Sequence, residues 1–467
     1  MSRYRSVPAD PCTRPAPQPP RPWIAGLLTA AALCLSTPPT GLASTPLAGQ
    51  FQVNTVTASA QQQAEVASDG AGNFVVVWES YASAGTDTDA RSIQARLYGA
   101  GGSPIGAEFQ VNTSTTGEQR APAVARNSSG AFVVVWESNH SASDYNIIAQ
   151  RYTAAGVKVG SELLVNSAFT AGVQEEPAVA MADNGDFVVV WSSPSGAGGD
   201  PDASIQGRRW RASTSTFFSQ FLVNDVTAGV QSSPAIATDG GTKFLVAWET
   251  AAASQDIAIR YFTADNVDAA GLIPDFLQET ANTFPTGLQQ EPAVAMTPDG
   301  RAVIAWDSFG ATFGTDTSRY SVQVRRLAAD GSFVDGNDVQ VNTYVDDDQR
   351  DAAVAMDDSG IFVVSWESFG SEVGNDSDFS LQFRAFDLAG FAIDPIDVQA
   401  NTYTSGYQWY PAAAFGSNGR LFVGWESNGS LGTDNNGFSV QGRLYDVFIF
   451  ADGFEIGDTS RWSSVAP

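Results

Sequence analysis

Thiols and imidazoles are nearly missing from this sequence: its 467 residues include two cysteines and one histidine. Both cysteines, Cys12 and Cys34, fall before residue 44. Disulfides, thiolate nucleophiles and thiolate metal centres are therefore excluded from the rest of the chain. A lone His140 likewise excludes multi-histidine zinc sites and triads that depend on histidine. Positive charge is scarce as well, with 24 basic residues against 51 acidic ones and a formal charge of −27. Neutralising a phosphate backbone needs a basic face, so nucleic acid is not an expected partner. Charged residues make up only 16%, but 43% apolar and 11% aromatic residues are enough for a large core, and such a chain is not disordered.

One apolar run stands apart from the strand-like sequence that follows it. Arg3, Arg5, Arg14 and Arg21 precede the stretch Trp23 to Leu35, and Gly41-Leu42-Ala43 then supplies small residues where a signal peptidase reads. The pattern predicts a secretory signal over 1–43, with an uncleaved anchor as the alternative. The run is shorter than the roughly 20 residues that cross a bilayer comfortably, so no membrane span is expected. The protein is expected to be secreted or held at the outer cell surface, and removal of the segment takes the charge from −27 to −30.

From Phe51 onward one motif is written seven times. Trp78, Trp136, Trp191, Trp248, Trp306, Trp366 and Trp425 each close a run such as Phe74 to Ser80. Their spacing of 55–60 residues marks a repeat architecture. Each period holds four short strand signals: a small apolar one (Pro177 to Ala180), the Val-rich run into Trp, and two alternating ones (Ser92 to Tyr98, Glu108 to Asn112). Four antiparallel strands repeated seven times predict an all-β, seven-bladed propeller. A string of Ig-like sandwiches would need about 100 residues per unit, and β-solenoid coils lack these hairpin turns. The small strand suits the crowded axis. The first fourth-strand sequence, Phe51 to Asn54, has no preceding partners, and the last unit ends after its third strand at Tyr445. The N-terminal strand is therefore expected to complete the last blade and cover its edge. This gives a ring over 44–446 and a tail over 447–467.

Connections after the first strand are tight turns such as Asp183-Asn184-Gly185-Asp186, while those after the second are long, as in Ser80 to Arg91 and Ser427 to Phe438. The long-loop face is the expected working face. Its acidic pairs, Asp87 with Asp89, Asp200 with Asp202, Asp376 with Asp378, and Asp434, resemble oxygen ligands for calcium. Solvated turns have the same composition, and both readings stand. Asp346-Asp347-Asp348 forms a further acidic tip.

Residues recurring in every unit are expected to be structural. Asn54 and its six counterparts are each followed, seven or eight positions on, by a Gln such as Gln61, which suggests amides bridging the turn into the next blade. An acid follows Trp in six units (Glu79, Glu137, Glu249, Asp307, Glu367, Glu426), and Arg96, Arg151, Arg208, Arg260, Arg325, Arg384 and Arg443 recur on the third strand. A cross-strand ion pair in each blade is the expectation.

Departures from the repeat are the places to seek function. Unit three has Ser192 in place of the acid and carries Arg209, Trp210 and Arg211, which could hold an anionic group or finish an irregular blade edge. Unit seven carries Tyr407, Trp409 and Tyr410, with Tyr403 nearby; these could form a platform for sugars or peptides or simply cover the blade. His140, in the loop of unit two beside Asp144 and Tyr145, reads as solvated. A monomeric, noncatalytic scaffold binding a glycan or an extracellular protein is the first expectation. A carbohydrate-active enzyme using two carboxylates and a purely structural surface protein are the alternatives.

The combination of FQVNT (Phe109 to Thr113), PAVAM (Pro177 to Met181) and FVVVWES (Phe132 to Ser138) resembles tandem repeats of secreted and surface bacterial proteins, mostly uncharacterised and loosely described as calcium-binding or adhesin-like. The resemblance spans Phe51 to about Tyr445 and brings no catalytic residues. Phe450 to Trp462 is similar to a FADGFESGD-type C-terminal segment of exported proteobacterial proteins, with Ile456 in place of the usual Ser. That likeness implies a sorting or retention element, with a terminal strand as the alternative.

Overall fold

A computed structural model describes residues 44–447, apart from 141–143, 195–198, 252–253, 266–268, 270–271, 276, 285, 311–313, 318, 372–377 and 417–418. The expected signal segment 1–43, the tail beyond Val447, and Asp376 lie outside the described residues. All the described regular elements are strands, arranged in seven antiparallel sheets. Blade 1 runs Gln61–Ser68, Phe74–Ser80, Ser92–Tyr98 and Pro104–Gln110. The other blades repeat this order, with outer strands that are short or broken in two in blades 3 to 6. The seven first strands lie next to one another around the axis, and the last, Gln408–Phe415, lies beside the first, Gln61–Ser68. The chain is a seven-bladed β-propeller.

Closure follows the expected route. Phe51 pairs with Gly442 and Gln52 with Gln441 on the third strand of blade 7. Thr45 and Pro46 extend the same edge opposite Asp446 and Tyr445.

Each second strand is buried along nearly its whole length, as an unbroken Val run requires when both sheet faces meet a neighbouring blade. The cores lie between blades: Val75, Val77, Ile93 and Ala95 of blade 1 pack against Phe132, Val134 and Trp136 of blade 2. The closing seam uses Val53, Phe74, Trp78, Phe422 and Val440. All seven repeat Trp side chains are fully buried. Each removes roughly 150–250 Å² from water, which at about 25 cal/mol per Å² contributes a few kcal/mol. Each indole Nε1 donates to the Gln 17 residues earlier, from Trp78 to Gln61 at 3.0 Å through to Trp425 to Gln408 at 2.9 Å. In six blades the Gln amide in turn donates to carbonyls of the loop entering its own blade, as Gln174 does to Ala171 at 3.1 Å, whereas Gln289 Nε2 has no acceptor among the described residues. The recurring amides thus fasten the turn to the blade core.

The tight turns need a left-handed residue. Gly130, Gly185 and Gly360 supply it with φ of 88°, 86° and 91°, a region where a Cβ is unfavourable.

Candidate functional site

A sevenfold framework runs around the starts of the first strands, on the long-loop face. Every first strand carries a bulge near its start. At the bulge sits a non-glycine residue with φ between 48° and 56°: Gln63, Ala121, Glu176, Ser233, Glu291, Asp351 or Tyr410. This conformation is strained for an L-residue, and the backbone N–H of each is held by a carboxylate of the preceding blade. Glu137 Oε1 accepts from Glu176 at 2.9 Å, Glu249 Oε1 from Glu291 at 2.8 Å, Asp307 Oδ2 from Asp351 at 2.6 Å and Glu367 Oε1 from Tyr410 at 2.7 Å. Glu79 and Glu426 do the same for Ala121 and Gln63. Where Ser192 replaces the acid, Glu176 of the same blade takes its place, accepting from Ser233 N at 2.7 Å and from Ser192 Oγ at 2.8 Å.

The expected cross-strand ion pair is therefore corrected. Glu79 lies opposite Ile93, whereas Arg96 lies opposite Val76. An offset of three along a strand puts the two side chains on opposite faces of the sheet. The acid turns to the next blade and the Arg to the previous one: Arg96 Nη1 donates to Val53 O at 2.8 Å, Arg325 to Ala281 O at 2.6 Å and Arg384 to Val341 O at 2.8 Å. Arg151 departs from this pattern and lies over the Trp210 ring at 4.5 Å.

Burial makes the seam acids hard to ionise. It pushes Glu137 up to about 7 against the opposing pull of Arg120, and Glu426 up to about 8. Asp307 and Glu367 are raised well above the usual carboxylate range by burial and by the neighbouring Asp351.

Against this framework, blades 5 to 7 differ. Two positions flank the long loop of each blade, and one or two more lie beside the Gln that opens the first strand. In blade 5 Phe309 and Tyr320 meet edge to face at 5.0 Å, and in blade 6 Phe369 and Phe379 do so at 5.3 Å. In blade 7 Tyr407 stacks on Trp409 at 4.7 Å, and Trp409 on Phe438 at 5.5 Å. Phe379 bridges the two blades, 6.4 Å from Trp409. Phe309, Phe369 and Tyr407 remain 43%, 37% and 39% exposed. Arg350 lies over Phe379 at 4.8 Å and pairs with Glu367 at 3.6 Å. Trp409 Nε1 has no acceptor among the described residues, unlike the seven repeat indoles. Blades 1 and 2 hold one ring each at the equivalent loop-flanking positions, Tyr81 with Arg91 over it at 4.8 Å and Tyr145 with Arg120 over it at 3.8 Å, while blades 3 and 4 hold Pro194, Ala203, Ala251 and Gln255. An aromatic arc thus occupies one side of the rim.

No family model matches the chain, and no curated protein does. Among solved structures it is similar to a protein of unknown function from Dyadobacter fermentans, at 10% identity and a TM-score of 0.46, over 72% of this chain and 96% of that one. It is also similar to an α-L-arabinanase of Penicillium chrysogenum, at 14% identity and a TM-score of 0.45, over 70% and 93% of the two chains. A polysaccharide lyase acting on ulvan matches at 10% identity and a TM-score of 0.46, over 86% and 95%.

The sequence-derived candidates separate in space. Tyr407, Trp409 and Tyr410 come together on the arc, Tyr410 through its ring 6.5 Å from Trp409. Arg209 and Trp210 do not join them: both are only 3% exposed. Arg209 is ion-paired with Asp186 in a tight turn of the opposite face, and Trp210 packs on Phe187 and Phe217. Arg211 lies at the same end of that strand, over Phe218. They finish the blade edge. His140 Nδ1 bonds Ser138 Oγ at 2.7 Å.

The acidic loops are tied into the framework. Asp87 Oδ2 accepts from Asn112 at 2.6 Å, Asp200 Oδ2 from Asn224 at 2.9 Å and Asp434 Oδ2 from Asn54 at 2.7 Å. Asp89 and Asp202 accept the amides of Gly117 and Gly229 at 3.1 and 3.0 Å. Asp378 is described only from its position at the start of its strand, where its carbonyl accepts from Gly370 N at 3.3 Å. Among the described residues, no three acids, histidines or cysteines gather closely enough to hold a metal ion.

Phe309, Tyr320, Phe369, Phe379 and Phe438 were not among the sequence candidates. Aligning the seven repeats on Trp-Glu-Ser and on the residue that opens the third strand brings them up, together with Tyr81 and Tyr145.

Proposed function

We propose that the chain is an exported, noncatalytic scaffold that binds a carbohydrate across the aromatic arc of blades 5 to 7. The observation that carries this reading is the arc itself, a set of partly exposed rings in contact with one another in blades 5 to 7, whereas blades 1 and 2 carry a single ring each, covered by an Arg. Aromatic faces accept the C–H faces of sugar rings while keeping their own geometry fixed. Arg350 and Gln290 stand beside the rings to bond hydroxyl groups. The acidic tip Asp346 to Asp348 adjoins the arc, since Phe369 N donates to Asp348 O at 2.9 Å. Its charge disfavours polyanions, so a glycan without dense negative charge fits best. The test is a glycan array with the full chain and with Trp409→Ala. Binding that falls by about tenfold or more in the variant, as for a central aromatic anchor, supports the reading; no bound glycan, or undiminished binding by the variant, refutes it.

A second reading, glycan cleavage, is favoured by one observation: Asp351 and Glu367 flank the same Arg350, at 3.9 and 3.6 Å, close to the arc. It ranks second because six blades use the equivalent acid as a backbone clasp. Turnover of a glycoside panel that disappears in Asp351→Asn would reverse the order.

A further inference from the structure

The start of the ring is anchored on an acid that the seams and the arc do not use. Ser44 is buried, its backbone N donates to Asp394 Oδ1 at 2.7 Å, and its Oγ donates to Oδ2 at 2.9 Å. Asp394 is 0% exposed and also accepts from Ala385 N at 2.9 Å. Arg384, which bears on it electrostatically, donates to the carbonyls of Asp394, Pro395 and Val341. A carboxylate removed from water in this way is costly unless a cation compensates it. Immediately before Ser44 stand Gly41 and Ala43, small residues at the two positions a signal peptidase reads.

We propose that Ser44 is the N-terminus of the mature protein and that its α-ammonium group forms a buried ion pair with Asp394. The proposal rests on reading 1–43 as an export segment. In the processing step a peptidase directs water to the Ala43 carbonyl carbon, and the Ala43–Ser44 peptide bond breaks. The hydroxyl remains on the new Ala43 carboxyl group. The Ser44 nitrogen leaves as an amine and takes up a proton, since an α-amino group has a pKa of about 7.7–8.0 before any ion pair raises it. The amide N–H that bonds the Asp394 carboxylate is thereby replaced by an ammonium, so that donor as well as acceptor carries charge and the bond becomes an ion pair. The next two residues, Thr45 and Pro46, pair with Asp446 and Tyr445. Removal of the leader therefore tightens the strand that closes the ring, and Asp394 is a positioning residue for that closure.

The experiment uses the full chain expressed in a host that exports it. Intact mass gives the mature terminus, and an amine-acylating reagent applied near neutral pH, followed by peptide mass analysis, measures α-amine reactivity. The expected result is a chain beginning at Ser44 whose α-amine reacts about tenfold or more slowly when folded than in denaturant, because reaction needs local opening. Asp394→Asn should bring the folded rate close to the unfolded one with the β-sheet spectrum unchanged. If that variant does not fold, the folded-against-unfolded comparison on the unaltered chain decides alone. A terminus other than Ser44, or equal rates in both states, overturns the proposal. A mature start at another nearby residue leaves export and glycan binding intact, whereas a chain retaining 1–43 removes the export reading too. The glycan array on the same preparation reports the arc separately.

Discussion

Glu426 Oε2 accepts the backbone N–H of Gln63 at 3.1 Å, so an acid of the last blade holds the strained residue of the first. Glu426 is fully buried and raised to about 8 from 4.5 by burial, with Gln62 and Gln63 pulling the other way. A raised folded-state pKa means that the folded protein binds the proton more tightly than the unfolded one. The stabilisation is fully present below about 4.5 and disappears as pH climbs through about 8. Glu137 acts in the same sense up to about 7. Calorimetric Tm should therefore rise as the buffer is taken from about pH 9 to pH 5. Glu426→Gln, which keeps a carbonyl acceptor without the charge, should raise Tm by about 2 °C at the alkaline end and change it little at the acid end. An identical pH profile in the variant would count against the seam acids.

The Trp–Gln pairs should be expensive to break. Gln231→Leu leaves Trp248 Nε1 buried without its 3.0 Å acceptor. An orphaned buried donor costs about 1–3 kcal/mol, to be read as a lower denaturant midpoint at unchanged slope.

Loss of the N-terminal strands should expose an edge. A chain beginning at Gln61 leaves Phe438–Asp446 without its outer partners, and an open edge invites pairing between molecules. Light scattering should show self-association, together with a lower Tm.

The acidic loops should depend on amide bonds more than on metal. Asp200→Ala removes the 2.9 Å bond to Asn224 and the 3.0 Å bond to Asp202 N. It should lower stability by about 1–2 kcal/mol, while chelator treatment of the unaltered protein leaves Tm unchanged. A chelator-induced drop reversed by calcium would instead support the metal reading of Asp87, Asp89, Asp200, Asp202, Asp376, Asp378 and Asp434.

The architecture was legible because a propeller writes its period into the chain: Trp recurs, Val runs mark strands buried on both faces, and Phe51-Gln52 lacks a blade of its own. What stayed hidden depends on register. Glu79 and Arg96 look like partners until the hairpin places them three positions out of step. Trp210 looks like a surface ring until its strand position seats it against Phe187. Tyr407 and Trp409 were visible as a local cluster, but Phe379 and Phe438 join them through space from other strands. The bulge residues gave no sequence signal, since Gln, Ala, Glu, Ser, Asp and Tyr all occupy one strained position.

Because the outer strands of blade 7 come from Thr45–Pro46 and Phe51–Gln52, the earliest part of the ring to be synthesised must wait for the latest. Six blades can assemble as they emerge, but the circle cannot shut until Asp446 has arrived. The event that makes the whole ring rigid therefore falls at the end of synthesis, and until then the first strands stay unpaired.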